Sequence, residues 1–165
     1  MNALVIRPYS VAAASRHRYQ EQDSPQTLAE GLDEYYRVNR GIVQRPETLP
    51  PESVTLFRGH DTCHVVFGLD TTLGDETMVD TRTFLSSDVG WKKYLSYAKD
   101  PTAKAVFKAL GPWRTIWVTL RTIPRIVRAI GEAGRMKKKW PWAPPESFQA
   151  RTLADLRREF GIKVI

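Results

Sequence analysis

Trp113, Ile116, Trp117, Leu120, Ile123, Val127 and Ile130 recur at steps of three and four along the chain. That is the period of an α-helix; a strand, with its period of two, cannot gather this set on one side. The run predicts one long helix opening at Pro112, a residue suited to a first helical turn, and continuing past Pro124. No segment alternates apolar and polar residues in a way that competes. The expected fold is therefore all-α, a single compact multi-helix domain over residues 25–165, with residues 1–24 as a mobile N-terminal arm.

Turn and cap residues divide the rest. Leu28, Leu32, Tyr35 and Tyr36 give a helix with Ser24 placed to cap it before Pro25. Gly41, Pro46, Pro50 and Pro51 mark a connector. A second helix is expected from about Glu52 to Phe67, with Gly68 ending it. GLDTTLGDET reads as a loop, followed by helices at Trp91–Ala98 and Pro101–Leu110. WPWAPPES is a rigid link to a closing helix, TLADLRREFG, with Thr152 as its cap and Leu153, Leu156 and Phe160 as its buried stripe.

With 165 residues the chain can bury one core. Its single cysteine, Cys63, rules out an internal disulfide and a zinc ribbon and suits a small buried thiol. No apolar run is long enough to span a bilayer. The net charge of +7 is local: residues 101–140 hold ten lysines and arginines against Glu132 alone, so that segment carries +9 and the remainder −2. Basic residues interleaved with Trp113, Trp117, Trp140 and Trp142 suit an amphipathic helix lying on an anionic membrane surface. A solvated basic face over a buried apolar stripe is the structural alternative. No nucleic-acid motif is present, so nucleic acid is not an expected partner.

Two of three histidines fall in RGHDTCHVVFGLDTTLGDET, from Arg58 to Thr77. On a helix turning about 100° per residue, Phe57, His60, His64 and Phe67 lie within roughly 80° of one another, with Asp61 at the border. Two imidazoles one turn apart can hold a single metal, and Asp61 and Glu76 can join them. Neutral nitrogens with one or two carboxylates suit a divalent ion: zinc first, then iron or manganese, with magnesium least favoured.

His60-Asp61-Thr62-Cys63-His64 is followed by eleven residues, Val65 to Asp75, and then Glu76. In this motif the chain resembles the Coq4 family of ubiquinone-biosynthesis proteins, whose signature is His-Asp-x-x-His, eleven residues and Glu. Arg58 fits the family's basic lead-in. Trp142, Glu146 and LADLRREFGI resemble its closing segment, and Asp80 stands where the family usually has lysine. The resemblance implies a mostly helical fold and a divalent metal held by His60, Asp61, His64 and Glu76. It also implies a long-chain prenylated phenol or quinone precursor as ligand, decarboxylated at the ring carbon that bears the carboxylate, either simply or oxidatively, the second requiring iron or another redox agent. Further implications are a homodimer and association with other quinone-biosynthesis proteins at a membrane, on the inner face in a bacterium or the matrix side in a mitochondrion.

Arg58, Phe57, Phe67, Trp113 and Trp117 are candidates to bind such a substrate, although apolar residues at helical spacing more often form plain core. Two other functions fit the same residues. One is a non-catalytic scaffold binding isoprenoid lipid; the other is a metal-dependent phosphohydrolase using His17, His60, Asp61 and Asp75 or Asp88.

Overall fold

A computed structural model describes residues 16–90 and 112–164, apart from the side chains of residues 52 and 112–119. Among the described residues are five α-helices and no strand, with backbone pairing outside helices limited to isolated bridges such as Thr27 with Thr152 and Ser87 with Trp140. The all-α expectation holds. The helices expected at Trp91–Ala98 and Pro101–Leu110 lie outside the described residues.

The first helix, α1 (Leu28–Val38), is capped by Thr27 rather than Ser24. Thr27 Oγ1 accepts from Glu30 N at 3.2 Å, and Glu30 Oε2 accepts from Thr27 N at 2.8 Å, which satisfies two backbone donors that a helix start leaves open. Packing begins before Pro25, because Tyr19 and Ser24 are fully buried. The chain at Tyr19 and Ser24 therefore packs into the described core.

Helix α2 (Pro51–Phe67) carries the histidine motif and ends at Gly68 as expected. Gly68 has φ +70°, and a Cβ there would stand 2.6 Å from Val164 Cγ1, so both backbone and packing call for glycine. Arg157 seals the same end. Fully buried, it donates from Nε to Val66 O (2.9 Å) and from Nη2 to Val65 O (2.8 Å) and Tyr19 O (2.6 Å). One side chain thereby satisfies terminal carbonyls of α2 and ties them to the N-terminal segment.

Helix α3 (Leu73–Ser86) corrects the loop reading of GLDTTLGDET, which holds only as far as Thr72. Thr72 Oγ1 accepts from Asp75 N at 3.2 Å and starts the helix despite Gly74. The buried side of α3 mixes Met78 and Val79 with Arg82, Thr83 and Ser86, so it leaves no apolar stripe in the sequence.

Helix α4 (Pro112–Arg135) starts at Pro112, runs through Pro124 as the periodicity required, and packs along α3. Its orientation bears on the buried-stripe reading. Leu120, Ile123, Val127 and Ile130 point outward, 44–62 % exposed, while Thr122, Ala129 and Glu132 are buried. Arg125 pairs with Asp75 at 2.5 Å and so ties α4 to α3. Over these residues the stripe is not buried.

Helix α5 (Leu153–Phe160) has Thr152 as cap and buries Leu153, Leu156 and Phe160, all as expected. Trp140 and Trp142 are also buried, at 0 % and 4 % exposed, so neither serves a membrane interface. Trp140 N donates to Ser86 O (2.8 Å), and its ring meets Phe160 at 5.0 Å; Trp142 N donates to Asp88 Oδ1 (2.7 Å).

Candidate metal centre

Two helices build the site, each giving residues one turn apart. His60 and His64 lie on α2, and Glu76 and Asp80 on the first turns of α3. A four-residue step returns a side chain to the same helix face, so the pairs confront each other across the α2–α3 contact. His64 Nε2 stands 3.6 Å from Glu76 Oε1, and His60 Nε2 stands 4.0 Å from Glu76 Oε2. Among the described residues, His60, His64 and Glu76 are the one group of histidine, cysteine or acidic residues whose ligand atoms all lie within 4.8 Å of one another.

The donor set fits a metal ion. Both histidines are buried, and neither ring nitrogen of His64 makes a hydrogen bond among the described residues. Leaving a buried polar nitrogen unsatisfied is costly, whereas a metal would use that lone pair. Ligand atoms sharing one tetrahedral ion at about 2.0–2.2 Å stand about 3.3–3.6 Å apart. The His64–Glu76 distance falls at that spacing, and the His60–Glu76 distance, 4.0 Å, lies just beyond it. A His60–His64–Glu76 group could therefore bind a metal ion.

Helix α1 supports the pair from behind. Tyr35 stacks on His64 with ring centroids 5.1 Å apart, and the Tyr36 hydroxyl donates to Asp61 Oδ2 at 2.9 Å. Asp61 Oδ1 in turn stands 3.8 Å from His60 Nδ1. This is how metal-bound histidines are usually oriented, with a carboxylate on the nitrogen away from the metal. Asp61, expected as a ligand, thus lies outside the three-residue group and on the far edge of the His60 ring.

Burial acts to lower the His60 pKa, but Asp61, Glu76 and Asp80 around the ring outweigh it and raise the pKa above its ordinary value. For Glu76 burial acts upward, and the two histidines prevail, holding its pKa below the usual carboxylate value. Burial dominates elsewhere: the Cys63 thiol is pushed up to about 12. Cys63 is an inert core residue, as its position on α2 suggested.

The other candidates scatter. Arg58 is exposed and pairs with Glu47 at 3.4 Å. Phe57 is half-buried, and Phe67 is core, lying under the Arg82 guanidinium at 4.6 Å. The backbone of Trp113 and Trp117 belongs to α4, and their side chains lie outside the described residues. The phosphohydrolase set does not assemble. His17 faces Asp70 at 3.8 Å, Asp75 is held by Arg125, and Asp88 receives Trp142 N.

Sequence reasoning missed the supporting roles of Tyr35 and Tyr36, whose spacing marked them only as an apolar stripe. It also missed Gly59, where a Cβ would stand 2.5 Å from Trp142 Cε2; this close approach seats the turn of α2 that carries His60. No signal in the sequence pairs positions 59 and 142.

Comparison with family models, curated proteins and solved structures found no match to this chain.

Proposed function

We propose that the protein is a metal-dependent decarboxylase of a prenylated hydroxybenzoate precursor, working at an anionic membrane surface in ubiquinone-type biosynthesis. The observation that carries the metal-dependent part is the buried His60–His64 pair facing Glu76 across two helices. The substrate class and the reaction rest on the resemblance of His60-Asp61-x-x-His64 and Glu76 to the Coq4 signature.

In this reading Glu76, His60 and His64 hold a divalent ion, zinc first, with iron, manganese or magnesium as alternatives. The ion would supply Lewis acidity to stabilise negative charge on the ring oxygens of the substrate. The protein's part is positional. Tyr36 and Asp61 set the orientation of the His60 ring, Tyr35 fixes the plane of His64, and burial excludes water from both imidazoles. In the reaction the bond from ring carbon to carboxylate breaks, carbon dioxide departs, and the carbon takes up a proton.

The outward stripe of α4 supports the membrane part. Leu120, Ile123, Val127 and Ile130 form an exposed apolar row, with Arg121, Arg128 and Arg135 exposed on the same helix. This arrangement suits a helix lying in an anionic lipid interface. No helix among the described residues is long and apolar enough to cross a membrane. The Arg125–Asp75 pair joins α4 to the residue next to Glu76, so a lipid-bound α4 would bring the metal group near the surface where a prenyl chain resides.

The test is incubation of metal-loaded protein with a carboxylated prenylphenol, followed by mass spectrometry for the decarboxylated phenol. Turnover that disappears in Glu76→Gln is the expected result. Intact metal and bound lipid without turnover would favour the scaffold function instead.

A further inference from the structure

We propose that Asp80 is the fourth protein ligand of the metal and that Asp61 is a positioning residue outside it. This rests on the metal reading of His60, His64 and Glu76 and changes the composition of the site.

The geometry around His60 separates the two aspartates. Asp80 Oδ1 lies 4.0 Å from His60 Nε2, the same distance and the same nitrogen as Glu76 Oε2. Asp61 Oδ1 lies 3.8 Å from Nδ1, on the opposite edge of the imidazole. A metal that His60 shares with Glu76 sits at Nε2, because that is the nitrogen Glu76 approaches. Asp61 cannot reach this side while its other oxygen accepts from Tyr36. Asp80, one turn beyond Glu76 on α3, is on the metal's side by helical register.

Charge points the same way. Two neutral imidazoles and one carboxylate leave a bound dication with net positive charge in a mostly buried place, and a second carboxylate neutralises it. Asp80 stands outside the three-residue group as its side chain lies, so ligation requires a rotamer change that carries Oδ1 inward from its place 4.0 Å from His60 Nε2. The site then holds two nitrogens from α2 and two carboxylates from α3, a four-ligand set suited to zinc. Asp61 keeps the outer role, holding the His60 ring in the orientation that leaves Nε2 for the metal.

The experiment measures zinc affinity of the full chain by competition with a chromophoric chelator, and the visible absorption of its cobalt(II) form, in wild type, Asp80→Asn, Asp80→Glu and Asp61→Asn. Circular dichroism confirms folding of each. Asp80→Asn should weaken zinc by more than about 100-fold and alter the cobalt spectrum, and Asp80→Glu should recover most of the affinity. Asp61→Asn should cost about 10–100-fold and leave the spectrum unchanged in shape, as outer-residue changes do. Wild-type affinity and spectrum in Asp80→Asn, with the spectrum altered in Asp61→Asn, would overturn the assignment. A wild-type chain that binds neither ion would overturn the metal reading itself, and this assignment with it.

Discussion

The Tyr36 hydroxyl donates to Asp61 Oδ2 at 2.9 Å, and both residues are buried. Asp61 thereby stays fixed beside His60 Nδ1. Tyr36→Phe removes the donor and leaves a buried carboxylate oxygen short of a partner. The expected cost is about 1–3 kcal/mol of stability, read by urea unfolding. Metal affinity should fall by about tenfold, read by chelator competition, as the His60 ring loses its brace.

His60 gives a pH dependence that differs between metal-free and metal-loaded protein. Its pKa in the folded state is raised above 6.5 by the surrounding acids, against the effect of burial. The folded metal-free protein then binds a proton that the unfolded chain releases. This stabilisation is complete below the unfolded pKa of about 6.5 and is lost as pH rises through the folded pKa. Metal requires the neutral ring, so its affinity should rise over the same interval. Above about pH 6.5 the melting temperature should fall with chelator and stay level with saturating zinc, because the metal-loaded fold and the unfolded chain then both hold a neutral ring. Parallel slopes would contradict this role for His60.

Much of the fold was legible in the sequence because caps and glycines are local chemistry. Thr152, Gly68 and Pro112 mark helix boundaries by their own conformational and hydrogen-bonding preferences, and the structure places them there. The start of α3 escaped because Thr72 and Asp75 stand among residues that also suit a loop, and because Arg82, Thr83 and Ser86 occupy its inner face. Glu76 was therefore found by spacing but placed on the wrong kind of element, and Asp80 was not seen as its partner one turn on. The sense in which α4 faces was illegible for a different reason. Periodicity shows that a helix has an apolar side, and only packing shows whether that side is covered.

Gly59 presents no Cβ to the Trp142 ring, which would otherwise be met at 2.5 Å. Gly59→Ala must push the indole or lift α2 beside His60. A stability loss of about 1–3 kcal/mol is expected, measured by thermal or urea unfolding. Weaker metal binding should accompany it, because the displaced turn carries a ligand.

The outward row on α4 predicts binding to anionic vesicles in a sedimentation assay, weakened by salt. A paired Ile123→Asp and Val127→Asp variant should lose that binding. Both side chains are substantially exposed, so stability should change by no more than about 0.5 kcal/mol for each substitution. Undiminished vesicle binding by this variant would remove α4 as the contact.

The most direct test of the metal centre is elemental analysis of purified wild type beside His64→Ala. His64 is fully buried, with ring nitrogens that make no hydrogen bond among the described residues and with Glu76 3.6 Å away. The account predicts near-stoichiometric divalent metal in the wild type and its loss in a folded His64→Ala protein. Equal metal in both, or negligible metal in both, would contradict it.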